Sequence, residues 1–473
     1  MLSSVAKAAG HETRLLFVTQ EFTEPYSSQT VDDVVSLCEG SDLVGVSLMS
    51  NFWDNSIAVT RAVKEGLGIP VIWGGIHPTV RPEECLDHAD YAAVGEAEES
   101  FIQFLNEFGS GNQVPGIMAR GQTDFEKANP PEHLDHFDHP DFDLENHFIL
   151  DGERMVPMTP EILRERSDGI YLTIPSRGCP FDCTYCCNVF LNKEFPQNRT
   201  VRHKSMVRLV DEIEEAVAKL GIWEKIKFDD DAFFALPLET IQSFAQDYKK
   251  RIGLPLMITG VTPNTVKREK LDALVEGGLC EIRMGIETAS KTMRTAYKRP
   301  QTENKVEKAA ALINEYKDRL VPFYDLIIDN PWEDDDSLVE TMRFITRLPM
   351  PFELIMYSLT FYPGTDIYDD AVRDGLVTDD VEDVYRKYYH SFQPTYLNAL
   401  LDILTHYAHW NEPFPIRAFD FATNSTVRNS PLSKAIPPLL KKRLQLILKW
   451  RQLQEKIKGP PADGPMELSP QTT

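Results

Sequence analysis

The stretch GCPFDCTYCCN, Gly178–Asn188, holds four of the chain's seven cysteines. Cys179, Cys183 and Cys186 form C-x3-C-x2-C, with Cys187 immediately after. A structural zinc site recruits four Cys or His ligands, commonly as two well-separated CxxC-type pairs, and no second pair exists in this sequence. Three thiolates on one short loop suit instead a cubic iron-sulfur cluster held at three irons, with the fourth left open to an exogenous ligand. Unliganded core cysteines have no reason to take this spacing. Cys187, adjacent to Cys186, is expected to point elsewhere. Cys38, Cys85 and Cys280 sit in helical or strand context as small hydrophobes, so none of these four is assigned a ligand role.

The cysteines follow a strand candidate, GIYLTIPS, the first of six. KIKFDD, LMITGV, CEIRMGI, FYDLIID and FELIMYSL complete the series, and helical stretches begin between them near Lys204, Leu238, Val266, Thr302 and Asp335. Six β/α units make an incomplete version of the eight-unit barrel, whose chemistry sits where strands end and the next loops begin. The cysteine cluster falls at such a place.

Upstream, RLLFVTQ (Arg14–Gln20), DLVGVSLMS (Asp42–Ser50), IPVIWGG (Ile69–Gly75) and YAAVGE (Tyr91–Glu96) are short apolar runs separated by amphipathic helical spacing. They predict an open, doubly wound parallel sheet. From about Gly109 to Thr159 the composition shifts to Asn, Pro, His and Asp, which sustains neither period and reads as a linker. Beyond Val377 the pattern turns mainly helical and ends in a polar, Pro-rich tail, PPADGPMELSPQTT, expected to be disordered. The expected division is 1–110, an α/β domain; 111–165, a linker; 166–377, the partial barrel; and 378–473, a helical region with its tail.

A chain of 473 residues with 42% hydrophobic side chains can bury several cores. Its net charge of −24 argues against wrapping nucleic acid. The N-terminus lacks the pattern of a signal peptide and no run of 18 apolar residues occurs, so a cytoplasmic location is expected. Between Lys434 and Lys458, eight basic residues and one acidic residue are interleaved with Leu440, Leu444, Leu446, Ile447, Trp450, Leu453 and Ile457. This basic amphipathic helix could meet an anionic membrane surface, but docking on the protein's own acidic body is the expected arrangement.

RGCPFDCTYC resembles the signature loop of the radical SAM superfamily. IKFDDDAFF, GGLCEIRMGIETAS and LTFYPGTDIYDDAVRDGLV, with VSLMS, VIWGGIHPTV and VGEAEESFIQFL upstream, resemble the branch whose members carry an N-terminal cobalamin-binding domain. The similarity spans about residues 1 to 377. It implies a 4Fe-4S cluster on Cys179, Cys183 and Cys186, whose open iron is chelated by S-adenosylmethionine. Reductive cleavage of the latter yields a 5'-deoxyadenosyl radical. Tyr185 resembles the aromatic near the adenine, Glu287 the polar contact to the bound cofactor, and Asp230 and Asp231 the paired acids that accept hydrogen bonds from ribose or the methionine ammonium; acids at a strand end can equally cap the next helix.

In a doubly wound sheet the ligand lies beyond the carboxyl ends of the strands, so Ser47, Gly74–Gly75 and Gly95–Glu96 would face one crevice, where the resemblance implies cobalamin. The D-x-H-x-x-G motif that supplies a lower cobalt ligand is absent, and His77 reads as structural. The family's first strand has no counterpart, which predicts an exposed sheet edge. The resemblance implies a small-molecule substrate, an electron donor such as flavodoxin or ferredoxin, and methyl transfer to an unactivated carbon. A radical cyclase or rearrangement enzyme, and a non-catalytic corrinoid- or cluster-binding protein, are the alternatives.

Overall fold

A computed structural model describes residues 1–18, 24–122, 124–299 and 301–458, with side chains described as far as residue 450. The first strands are Leu15–Phe17 (β1), Val44–Ser47 (β2), Val71–Gly74 (β3), Tyr91–Ala93 (β4) and Ile117–Ala119 (β5). The pairs β2–β3 and β3–β4 are parallel, and β5 adds antiparallel to β4. Alternation along β3 shows why both faces are covered. Val71 and Trp73 pack with Val59 and Val63 of the helix Trp53–Leu67, while Ile72 packs with Phe104 of the helix Glu98–Asn106. β2 is an edge of this sheet.

Two expectations are corrected here. RLLFVTQ, whose Thr19 and Gln20 lie outside the described residues, does not join that sheet. β1 pairs parallel with His147–Asp151 (β6), which in turn pairs antiparallel with Arg154–Pro157 (β7). The segment expected to be a structureless linker therefore supplies β5, a β-hairpin and the helix Pro160–Arg166. The signal was local: HFILDGERMVP carries strand-like apolar runs on either side of a two-residue turn, Gly152–Glu153, and the Pro- and Asp-rich sequence before it masked that pattern. Asp33 ties the hairpin down, accepting from Arg154 Nε at 2.6 Å and from the backbone N–H of Met155 at 3.0 Å.

The second sheet contains all six expected strands: Ile170–Thr173 (β8), then, after the short pair Ser176–Arg177 (β9) and Arg202–His203 (β10), Lys225–Phe228 (β11), Leu256–Val261 (β12), Leu279–Glu287 (β13), Val321–Ile328 (β14) and Glu353–Ser358 (β15). The order β8-β11-β12-β13-β14-β15 follows the chain and every pair is parallel. Crossover helices start close to the expected positions, at Met206, Leu238, Arg268, Glu303 and Asp335, two of them capped by Ser205 and Asp334. Their apolar faces and the outward strand residues form one core, which also takes in Leu400, Leu401 and Leu404 of the helix Tyr396–His409.

The basic helix, Ile436–Lys458, lies on the helix Tyr396–His409 as expected: Leu440 and Leu444 enter the core, Lys441 pairs with Asp402 at 3.4 Å, and Arg443 Nη1 donates to the Tyr407 hydroxyl at 2.7 Å. The tail expected to be disordered lies outside the described residues.

One glycine fixes how closely the strand ends approach. Gly260, in β12 with φ of 70°, lies against the chain at Asp230, and a Cβ there would overlap the Asp230 carbonyl oxygen. Gly260→Ala is expected to cost about 3 kcal/mol in urea unfolding, against about 1 kcal/mol for Gly221→Ala, which has positive φ but open space.

Candidate active site

Three asparagines shape the cysteine loop. The helix Asn188–Glu194 starts directly after it and presents Asn188 and Asn192 one turn apart. Asn192 Nδ2 donates to the carbonyls of Cys179 and Phe181 and to Asp182 Oδ1, each at 3.1 Å. Asn198 Nδ2 donates to Asn188 Oδ1 at 3.1 Å and to Asn192 Oδ1 at 2.8 Å, while its carbonyl accepts from the Cys179 N–H at 2.9 Å. An amide offers donor and acceptor without charge, so it can hold a buried loop at little desolvation cost. Sequence reasoning passed over these residues, although an Asn at i and i+4 beside a metal-type loop is a readable signal.

Cys179 and Cys183 are buried, and burial pushes the Cys179 thiol up to about 12 and the Cys183 thiol up as well. Cys186 is held below the usual thiol range because the Cys187 thiol hydrogen-bonds to it, and Cys187 is raised in turn. Asn188 Nδ2 donates to Cys186 Sγ at 3.7 Å and to Asp231 Oδ2 at 3.2 Å.

Arg299 Nη1 donates to Cys183 Sγ at 3.7 Å; its Nη2 donates to the Gly285 carbonyl at 2.8 Å and lies 3.5 Å from Glu287 Oε1. Glu287 ends β13 with φ of 64°, where the register with β14 shifts. Burial pushes its carboxyl up to about 7, opposed by Arg299 and by a hydrogen bond from Tyr185. Tyr185 stands edge-on to Tyr297, ring centroids 5.1 Å apart.

Of the four residues expected near the cluster, Tyr185, Glu287 and Asp231 gather at the thiols, directly or through Arg299 and Asn188. Asp230 is held by backbone and a neighbouring hydroxyl. Its carboxylate accepts from the backbone N–H of Ser176 at 2.6 Å, Ser176 Oγ at 2.7 Å and the Ala232 N–H at 2.8 Å, so it fastens β9 to the chain after β11. There, on the inner side of β11 to β14, opens a cleft of about 410 Å³ lined by Asp229, Asp230, Asp231, Thr259, Gly260, Arg283 and Asp325. Arg283 Nε donates to both Asp325 oxygens at 2.9 Å.

At the carboxyl end of the N-terminal sheet, Ser47 and Gly75 are exposed and Gly74 is half-buried. Gly75, φ 101°, brings the turns after β2 and β3 together: a Cβ there would stand 2.7 Å from the Leu48 carbonyl oxygen. Gly95 and Glu96 have partners in the structure. Gly95 packs under Phe195, and Glu96 Oε2 accepts from Arg177 Nη1 at 2.7 Å and Arg202 Nη1 at 3.1 Å. Both belong to the contact between the sheet and the cysteine loop, because two arginines opposite one another in β9 and β10 draw the carboxylate to them. His77 is structural, as expected: Nδ1 meets Ser50 Oγ at 2.9 Å, and its ring stands edge-on to Trp53 and Tyr385.

A doubly wound sheet and a parallel half-barrel meet at a three-cysteine loop. Residues 173–345 match the radical SAM superfamily and residues 1–105 the B12 binding domain. The chain thus carries a B12 binding domain followed by a radical SAM domain, the arrangement of the branch that its sequence resembles. The cofactors of these domains are a 4Fe-4S cluster, S-adenosylmethionine and cobalamin. The chain is 24% identical over 349 residues to the uncharacterized methyltransferase PH0819 of Pyrococcus horikoshii, covering 71% of this chain and 70% of that protein. It is 24% identical over 377 residues to the bacteriochlorophyllide d C-8(2)-methyltransferase of Chlorobaculum tepidum, covering 73% and 71%. Its fold is similar to that of the radical S-adenosylmethionine methyltransferase TsrM of Kitasatospora setae, solved with tryptophan and a SAM analog, with a TM-score of 0.62 and 16% identity over 80% of this chain and 73% of that one. The cobalamin-dependent radical enzyme OxsB, with aqua-cobalamin, gives 0.60 and 16% over 91% and 69%.

Burial pushes His77 down to about 4, against an ordinary value of 6.5. The unfolded chain therefore takes up a proton below pH 6.5 that the folded protein excludes until about pH 4, and stability falls as pH drops through that window. His77→Phe is expected to reduce the loss of unfolding free energy between pH 7.5 and 5.5 by about 1 kcal/mol, read from urea titrations at both values.

Proposed function

We propose that this chain is a cobalamin-dependent radical SAM methyltransferase that methylates an unactivated carbon of a small molecule, with the cluster on Cys179, Cys183 and Cys186. The observation that carries the reading is the Glu96 bridge to Arg177 and Arg202, which sets the cysteine loop against the carboxyl end of the B12-type sheet. Relatives named methyltransferases support it.

Three thiols spaced along one loop suit a cluster of several irons. When bound, the cluster and S-adenosylmethionine supply a carbon radical and cobalamin supplies a methyl donor. The chain does the rest. Asn188 and Arg299 point N–H groups at two of the sulfurs, which favours their thiolate form and tunes the charge they carry. Glu287, Tyr185 and Asp231 offer acceptors and an aromatic face to an amino acid moiety and a nucleoside. Ser47 and Gly74–Gly75 leave backbone open to a flat macrocycle. The cleft by Asp229 and Asp325 takes the substrate, and a flavodoxin- or ferredoxin-type donor supplies the electron.

Anaerobic reconstitution should give about four irons per chain. Ala at Cys179, Cys183 or Cys186 should abolish iron binding and 5'-deoxyadenosine formation, and Cys187→Ala should retain most of both. One S-adenosylhomocysteine formed per turnover supports methyl transfer; none would turn the reading to a cyclase or rearrangement enzyme. One zinc and no iron would overturn the cluster assignment.

A further inference from the structure

The helix Ile436–Lys458 has two apolar faces, and the core uses only one. Leu440 and Leu444 are buried against the body. Leu439, Leu446 and Trp450 are 64%, 59% and 62% exposed. At 3.6 residues per turn these three fall within about 20° of one line along the helix, more than a quarter-turn from the buried pair. Lys442 and Lys449 run along one side of that line, the side away from the buried pair, exposed and with no carboxylate paired to them among the described residues. Just before the helix, Leu432 is also exposed.

We infer that this stripe docks the protein on the surface of an anionic lipid bilayer. Charge complementarity selects the occupant. The chain carries −24 overall, so an anionic surface repels it, yet residues 434–458 carry eight basic residues and one acidic one. Basic side chains beside a Leu/Trp line are the composition that settles at a headgroup boundary, the indole at the interface and the ammonium groups on phosphates. The helix lies on the membrane and does not cross it: no helix among the described residues is long and apolar enough to span. Docking on the protein's own body, the expected arrangement for this helix, uses the other face, so both contacts coexist.

The test uses the full, cluster-loaded chain in sedimentation with phosphatidylcholine vesicles, with and without about one third phosphatidylglycerol. Binding to the anionic vesicles should exceed binding to the neutral ones by about tenfold or more and fall steeply as salt is raised from about 0.05 to 0.5 M. The triple variant L439S/L446S/W450S should lose about tenfold or more of that binding while keeping its iron content and 5'-deoxyadenosine formation. Absence of binding to anionic vesicles at low salt overturns the inference, as does equal binding by the triple variant. So does a concentration-dependent dimer of the wild-type chain that the triple variant abolishes without any vesicle binding, since a second copy would then cover the stripe.

Discussion

Two arginines face each other across the short ladder of β9 and β10, and Glu96, from the loop after β4, pairs with both. Arg177 is the residue before Gly178, so the ion pair is anchored two residues from the first cysteine of the loop. Left alone, Arg177 and Arg202 would repel at cross-strand distance, and removal of one partner from a partly buried cluster of this kind costs on the order of 3 kcal/mol. Glu98 adds a second carboxylate to Arg177 at 2.5 Å, and Arg202 also donates to the Pro131 carbonyl at 2.7 Å. The bridge thus sets the carboxyl ends of two sheets against each other, and the positions of the cysteines relative to the N-terminal turns follow from it.

Packing enforces the same placement. One core cluster contains Trp73 and Val63 of the N-terminal layer together with Tyr297, Ile327, Leu359 and Tyr385 from the barrel side, so the two layers share buried surface rather than touching through a linker. Asn51 Nδ2 donates to the Tyr362 hydroxyl at 3.0 Å across the same boundary, and the Tyr385 hydroxyl donates to Glu84 at 2.9 Å. The hairpin of β6 and β7 joins this core through Leu150 and Met155. A segment that looked like a spacer is therefore part of what holds the site.

Within the loop the polar groups divide their work. Asn192 and Asn198 spend their hydrogen bonds on backbone and on each other and fix the loop's shape, whereas Asn188 and Arg299 reach sulfur and couple the loop to the acids at the ends of β11 and β13. Asp230 and Asp231, adjacent in sequence, line the same cleft with different partners: the first accepts from Ser176 and Ala232, and the second from Asn188, which also reaches Cys186.

The six barrel strands, their order along the chain, the cysteine triad and its place after the first strand were all legible in the sequence, because each is written in local periodicity and short spacing. Tyr185 and Glu287 could be picked out for the same reason, as the neighbour of a loop cysteine and the end of a strand. What escaped depended on contacts between segments far apart in the chain. Glu96 read as a crevice residue, since its distance from Arg177 and Arg202 exists only once both sheets are folded. The partner of β1 could not be known from RLLFVTQ, which carries strand propensity but no address, and the hairpin that it pairs with is shorter than the compositional shift around it. Hydrogen bonding of the asparagines, the division between Asp230 and Asp231, and the choice of which apolar face of the last helix meets the core were decided by tertiary structure, where burial and geometry select among partners that the linear pattern leaves equivalent.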